Sequence, residues 1–194
     1  MFETLMKMAQ PNKETTVLDV GATMEEREDA NFFEKLYPYP HNITAVSTED
    51  VRFLEKEFPG LKSVEADGAQ LPFPDKSFDL VISTATLEHA GSRDRQRRFV
   101  NELCRVGRIV CITIPNRGYP IEFHTFLPFV HWLPHSWFRF ICKSLGKVFF
   151  AKEENLNLLS EKDVLAMFSA SSRVSVKRFR ILGLVSNLMF YTKT

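Results

Sequence analysis

Short runs of mostly apolar residues alternate with longer polar segments along residues 1–115. The apolar runs are Thr15–Val20, Ile43–Ser47, Ser63–Ala66, Phe78–Ser83 and Arg108–Ile114. Runs of this length without strict alternation are typical of parallel strands that helices cover on both sides. The pattern therefore predicts an α/β fold with a mostly parallel sheet and helices on both of its faces.

Helix signals lie between these runs. We predict helices over Glu26–Leu36 and from Ser92 to about Cys104. The sequences Ser47-x-x-Asp50 and Ser160-x-x-Asp163 have the spacing of a capping box, in which two side chains satisfy free backbone amides at a helix start. Each predicts a short helix directly after it, the second reaching about Phe168.

The chain ends in two strand-like segments, "RVSVKRFRIL" and "SNLMFYTK", which are separated by a short turn at Gly183. A turn of this length joins antiparallel neighbours, so these segments predict a C-terminal hairpin. Together with the five upstream runs they complete a sheet of seven strands.

Residues 116–152 break the strand–helix alternation with a segment rich in aromatic residues, prolines and histidines. We interpret this segment as an insert in a single domain spanning residues 1–194. One helix face is predicted for Trp137, Phe138, Ile141, Leu145 and Val148.

Composition narrows the class of protein. A chain of 194 residues can bury the core of one domain. A net charge of +1 provides no field for nucleic acid, so we expect no nucleic-acid partner. The chain has no run of about 20 apolar residues and no leader pattern, which favours a cytoplasmic protein. Cys104, Cys111 and Cys142 form no C-x-x-C pair, which favours reduced thiols.

Small and polar residues follow each of the five predicted strands. Open α/β sheets bind ligands beyond the carboxyl ends of their strands, so these positions are candidate site residues. Loops are often polar without any function, which is the alternative interpretation. The positions are Gly21, Ala22 and Thr23; Ser47, Thr48 and Glu49; Asp67, Gly68 and Ala69; Thr84, Ala85 and Thr86, with Glu88 and His89 soon after; and Asn116 and Arg117.

Two segments of the sequence that contain several of these positions resemble the class I S-adenosylmethionine-dependent methyltransferases. The segment "VLDVG" at residues 17–21 is a weak signal, whereas "ADGAQLPFPDKSFDLVISTATLEHA" at residues 66–90 is specific. The two closing strands are also similar to this family. The resemblance implies a Rossmann-like fold, S-adenosylmethionine as cofactor, and methyl transfer to a small molecule.

The resemblance also implies roles for individual residues. Asp19 and Gly21 would lie under the methionine part of the cofactor, and Asp67 would accept a hydrogen bond from the adenine amino group. The structural alternatives are a strand-end acid for Asp19 and a turn residue for Asp67. The complete predicted cofactor-binding set is Asp19, Gly21, Ala22, Thr23, Ser47, Asp67, Gly68, Ala69 and Thr84.

Two positions depart from the family pattern. Ser47 stands where members usually have an acid that binds the ribose hydroxyls, and Glu49 is the nearest replacement. The first loop has only Gly21, followed by Ala22-Thr23-Met24. Because this cofactor has no phosphates, its loop need not form an anion cradle. The lack of G-x-G-x-x-G argues against a nicotinamide dinucleotide.

Histidines near the predicted site suggest acid–base chemistry. A hydroxyl acceptor must lose a proton, and histidine has a suitable pKa. We take His124, with Glu122 as its orienting group, as the first candidate base and His89 as the second. A core-facing or capping histidine is the alternative for each. Glu122, His124 and His131 have no firm ligand spacing, so no metal site is predicted.

The aromatic insert bears on partners. The segment "PNRGYPIEFHTFLPFVHWLP" also resembles methyltransferase-like proteins that accompany bacterial surface-polysaccharide synthesis. This resemblance implies a glycan precursor as the methyl acceptor. The basic, aromatic residues 132–150 favour either a lid packed on the sheet or peripheral membrane contact. A second subunit of a homodimer is another source of a lid. A non-catalytic binding or scaffold protein is the alternative function.

Overall fold

The computed structural model describes residues 1–25 and 30–193. Seven strands form one sheet in the order β3-β2-β1-β4-β5-β7-β6. Strands β1 to β5 are parallel, and β7 runs antiparallel between β5 and β6. This confirms the predicted sheet with its C-terminal antiparallel hairpin. The strands are β1 Val17–Val20, β2 Ile43–Ser47, β3 Lys62–Glu65, β4 Phe78–Thr84, β5 Gly107–Pro115, β6 Val174–Ile181 and β7 Leu184–Lys193.

Two apolar clusters cover the two faces of the sheet. Successive strand residues point to opposite faces, so Val17 belongs to one cluster and Leu18 to the other. Phe99 and Leu103 of the long helix pack on the Leu18 side. Because both faces are buried, a ligand can reach the central strands only at their ends.

The helices of the described residues are α1 Phe2–Ala9, α2 Phe32–Leu36, α3 Phe53–Glu57, α4 Arg93–Val106, α5 His135–Ser144 and α6 Glu161–Leu165. Three short 3₁₀ turns lie at Pro40–Asn42, Leu87–His89 and Val130–Trp132. Among these residues, no helix is long and apolar enough to cross a bilayer.

The predicted helix starts have different outcomes. Ser92 caps α4, and Ser160 with Asp163 forms the predicted capping box of α6. The capping box predicted at Ser47 is wrong, since Ser47 ends β2 and its hydroxyl accepts from the Glu49 amide at 3.1 Å. For the helix predicted over Glu26–Leu36, residues 26–29 lie outside the described residues and α2 begins at Phe32.

The aromatic insert packs on a small core of its own. Phe138 and Cys142 are one helical turn apart on α5, and both are buried with Leu156 and Leu158. Trp137, Leu145 and Val148 are exposed, and α5 ends before the last two of these. The predicted face is therefore confirmed at Phe138 and wrong at Trp137, Leu145 and Val148, because the buried stripe continues through Cys142.

Candidate functional site

A cavity of about 920 Å³ lies at the carboxyl ends of the parallel strands. Its size is within the range of small-molecule sites. The predicted residues that line it are Asp19, Gly21, Ala22, Thr23, Ser47, Asp67, Gly68, Thr84, His89 and His124. Ala69 is absent from the lining, and Glu122 lies behind His124.

The loop after β1 depends on its single glycine. Gly21 has a φ of +111°, and a Cβ at this position would lie 2.0 Å from Oγ1 of Thr86. The amides of Gly21 and Ala22 both donate to the carbonyl of Val46, at 2.9 and 3.2 Å. Ala22 does not take a positive φ, so it is tolerated next to the glycine.

Side chains from other segments hold the rest of this loop. The Asn31 amide group accepts from the Thr23 backbone N–H at 3.0 Å and donates to the Thr23 carbonyl at 2.7 Å. The Met24 amide donates to Oε2 of Glu49 at 3.1 Å. These hydrogen bonds therefore fix the path of a loop that has no further glycines after Gly21. Sequence reasoning missed Asn31. Its backbone is left-handed, with a φ of 49°, which is a conformation that asparagine adopts more readily than most residues.

A buried acid pair lies at the base of the cavity. Asp19 is 7% exposed and Glu34 is 1% exposed, and both line the cavity. Neither carboxylate oxygen of Glu34 has a hydrogen-bond partner among the described residues. Burial and the nearby Glu34 raise the pKa of Asp19 well above its ordinary value. A site with buried acids and no paired Lys or Arg among these residues suits a cationic ligand group. The sequence signal for Glu34, an acid directly after two phenylalanines, was overlooked.

Two hydrogen bonds fix the carboxylate of Asp67, which also lines the cavity. Its Oδ1 accepts from the Ala69 amide at 2.9 Å, and its Oδ2 accepts from Nη2 of Arg95 at 2.8 Å. Gly68 has a packing role, because a Cβ there would lie 2.2 Å from Cε2 of Phe99. This glycine therefore allows α4 to approach the sheet.

Glu122 orients His124. Nδ1 of His124 lies 2.6 Å from Oε1 of Glu122, whose other oxygen accepts from the Thr125 amide and hydroxyl at 2.6 Å. Burial alone would raise the pKa of Glu122, but these hydrogen bonds outweigh it and lower the pKa to about 2. Burial likewise opposes the charge of His124, yet the Glu122 carboxylate raises the pKa of His124 above its ordinary value.

His89 faces His124 directly, with 3.1 Å between their Nε2 atoms. Nδ1 of His89 lies 2.6 Å from the carbonyl of Asn155, so Nδ1 carries the hydrogen. Burial lowers the pKa of His89. Glu88 is 1% exposed, and its Oε1 lies 4.0 Å from Nε2 of His124. Burial raises the pKa of Glu88 to about 7.

A buried amide network positions this cluster. Nε2 of Gln96 on α4 donates to the carbonyls of Leu87 and Asn157, at 3.0 and 2.9 Å. The backbone N–H of Asn157 in turn donates to the carbonyl of Glu88 at 2.8 Å. The 3₁₀ turn that carries Glu88 and His89 is thus fixed to α4 and to Asn157, which follows the insert.

Comparison with known proteins identifies the relatives of this chain. Residues 18–109 match the family model described as a methyltransferase domain. A protein of Mycobacterium tuberculosis, described as a probable S-adenosylmethionine-dependent methyltransferase, is 34% identical over 70 residues. That match covers 34% of this chain and 24% of the relative, so the matched part is about a quarter of the relative's length.

Solved structures share the fold. An S-adenosylmethionine-dependent methyltransferase from Methanosarcina mazei superposes with a TM-score of 0.61 at 13% identity, over 97% of this chain and 96% of that one. The N-methyltransferase NodS from Bradyrhizobium japonicum, solved with S-adenosyl-L-homocysteine, gives 0.55 at 11% identity, over 92% and 77%. At such identities the likeness establishes the fold.

Replacing Gly21 by alanine should be more damaging than replacing Gly146. Both glycines have a positive φ, but nothing lies within 4 Å of a Cβ at Gly146. Gly146→Ala should cost about 1–2 kcal/mol of backbone strain. Gly21→Ala adds the Thr86 clash, so we expect a loss of about 3 kcal/mol or more. Urea unfolding measures both, and equal losses would contradict the packing of Gly21 against Thr86.

Asp19 should make stability fall as pH rises. Asp19 binds its proton more tightly in the folded state than in the unfolded state, where its ordinary pKa is 3.8. Stability therefore declines from about pH 4 upward, by at most about 1.4 kcal/mol per pH unit. Asp19→Asn should reduce this decline in the pH window that begins at about 4.5. The control is exposed Asp50, whose pKa its hydrogen bond from Arg52 lowers to about 2. Asp50→Asn should leave the slope in that window unchanged, and an unchanged slope in Asp19→Asn would refute the prediction.

Proposed function

We propose that the chain is a class I S-adenosylmethionine-dependent methyltransferase, which its fold and the match of residues 18–109 support, and that it methylates a hydroxyl of a small molecule or glycan precursor. The observation that carries the proposal is the buried pair of Asp19 and Glu34 in the cavity, which lacks a partner cation among the described residues.

S-adenosylmethionine is the cofactor of this family, and the cavity residues fit it. When bound, it supplies an electrophilic methyl group on a positively charged sulfur. Asp19 and Glu34 would hold its cationic end, because buried carboxylates gain most from an opposite charge. Asp67 would hold the adenine amino group. Ser47 and Glu49, which both line the cavity, would take the ribose hydroxyls in place of the usual acid.

The histidine pair lies where an acceptor could be deprotonated. Since Nδ1 of His124 donates to Glu122, the lone pair of this ring is at Nε2, which faces His89. His124 would take the hydroxyl proton there, and the ionised Glu122 would stabilise the resulting imidazolium. His89 is oriented in the same way by the Asn155 carbonyl and is the second candidate. Phe150 packs beside His124 with ring centres 5.9 Å apart and offers an apolar wall.

Cofactor binding tests the proposal. Titration calorimetry should show S-adenosylmethionine binding to the wild-type chain. Glu34→Gln should weaken binding at least tenfold, which corresponds to about 1.4 kcal/mol for one lost charge interaction. The control is Glu57→Gln, since Glu57 is exposed on α3 and should have no effect. The absence of binding at millimolar cofactor would refute the proposed methyltransferase activity. It would favour the alternative of a non-catalytic scaffold protein, for which the single glycine of the first loop and Ser47 are the sequence arguments.

We further propose that the insert contacts an anionic membrane surface. Six aromatic side chains there are half or more exposed: Phe126, Phe129, Trp132, Trp137, Phe140 and Phe149. Lys143 and Lys147 lie in the same segment and match anionic headgroups. Phe126 and Phe149 also line the cavity, so a membrane-bound acceptor would meet the site. Such an exposed apolar surface needs a partner.

Sedimentation with vesicles tests membrane contact. The chain should sediment with phosphatidylserine vesicles and much less with phosphatidylcholine vesicles. The double variant Trp137→Ser/Phe140→Ser should lose this binding. The matched control is Leu182→Ser, which alters a 95% exposed residue of the C-terminal hairpin. Binding that survives the double variant would contradict the proposal. If light scattering instead shows a dimer that the double variant disrupts, a second subunit covers the surface.

A further inference from the structure

We propose that Glu88, His89 and His124 form a binding site for a divalent transition-metal ion. One donor atom from each residue lies within 4.8 Å of the other two. The two Nε2 atoms are 3.1 Å apart, and Oε1 of Glu88 is 4.0 Å from Nε2 of His124. A metal with nitrogen and oxygen ligands at about 2.0–2.2 Å requires donors at nearly this separation, so small side-chain shifts complete the site.

The hydrogen bonds of the two rings direct both lone pairs to one point. Nδ1 of His124 donates to the Glu122 carboxylate, and Nδ1 of His89 donates to the Asn155 carbonyl. Each neutral ring then has its lone pair at Nε2, and these atoms face each other. Two lone pairs at 3.1 Å repel unless a proton or a cation lies between them. Outer hydrogen bonds of this kind, to a carboxylate and a carbonyl, are those of metal-binding imidazoles.

The buried carboxylate of Glu88 independently indicates a cation. Its side chain is 1% exposed, and neither oxygen has a hydrogen-bond partner among the described residues. A buried carboxylate without a partner is costly, whereas coordination of a metal would satisfy it. Two imidazoles and one carboxylate suit Zn²⁺, Co²⁺, Ni²⁺ or Fe²⁺ better than Mg²⁺ or Ca²⁺.

These residues differ from those considered in the sequence. The spacing of Glu122, His124 and His131 predicted no metal site, and Nε2 of His131 lies 2.8 Å from the Tyr119 carbonyl. The structure instead brings His124 to Glu88 and His89, which come from a separate segment.

The site has a consequence that rests on the proposed function. A metal ion on Nε2 of His124 would occupy the lone pair that accepts the acceptor's proton. Metal and base would then exclude each other, so a transition-metal ion would inhibit methyl transfer. The binding itself does not depend on this consequence.

Metal titration of the untagged, full-length protein tests the site. Adding Co²⁺ should give visible absorption bands of a bound ion, at one Co²⁺ per chain. Glu88→Gln and His89→Gln should each weaken Co²⁺ binding at least tenfold. The control His41→Gln removes an exposed histidine of the Pro40–Asn42 turn and should change nothing. No binding to the wild type, equal binding by all variants, or cobalt–thiolate bands in the near ultraviolet would each overturn the proposal.

Circular dichroism identifies a variant that fails to fold. The Co²⁺ spectrum of the wild-type protein then still decides whether the ion binds. A parallel titration with S-adenosylmethionine separates this proposal from the proposed function. Cofactor binding without Co²⁺ binding overturns only the metal site. Co²⁺ binding without cofactor binding supports the metal site and overturns only the methyltransferase.

Discussion

Burial of both faces of the parallel sheet is the constraint on which the rest of the structure depends. Apolar clusters cover each face, so a ligand reaches the central strands at their ends. The chain places its small and polar residues at the carboxyl ends, and the cavity forms there. The positive φ of Gly21 and the packing of Thr86 against it determine how closely two strand ends approach. Gly68 does the same for α4 through Phe99.

Buried carboxyl groups give the cavity its chemistry, and they differ in how well they are satisfied. Glu122 accepts four hydrogen bonds from His124 and Thr125, so it is a stable negative charge that orients a histidine. Glu34 and Glu88 accept none from other described residues. An unsatisfied buried acid lowers the stability of the free protein. It also raises the affinity for a cation, which connects the instability of these positions to ligand binding.

The insert shows how helical pattern and packing can disagree. Its helix buries Phe138 and Cys142 and leaves Trp137 and Phe140 exposed. A helix buries the stripe that its neighbours can cover, and those neighbours here are Leu156 and Leu158 beyond the insert. The stripe chosen from hydrophobicity alone therefore differs from the one that packs.

The sequence by itself determined the strands, their order of succession and the local caps at Ser92 and Ser160. These features depend on contacts between residues close in the chain, which a pattern of residue types records. It also indicated the part of the cavity lining that directly follows the strands, because strand ends share one edge of a parallel sheet. The capping box predicted at Ser47 is wrong because Ser47 is the last residue of β2, where it pairs with Glu65 of β3. Only the tertiary structure decided the pairing of Asp19 with Glu34 and of His89 with His124. Those side chains meet through the crossing of separate segments, and no local pattern records the angle at which such segments cross.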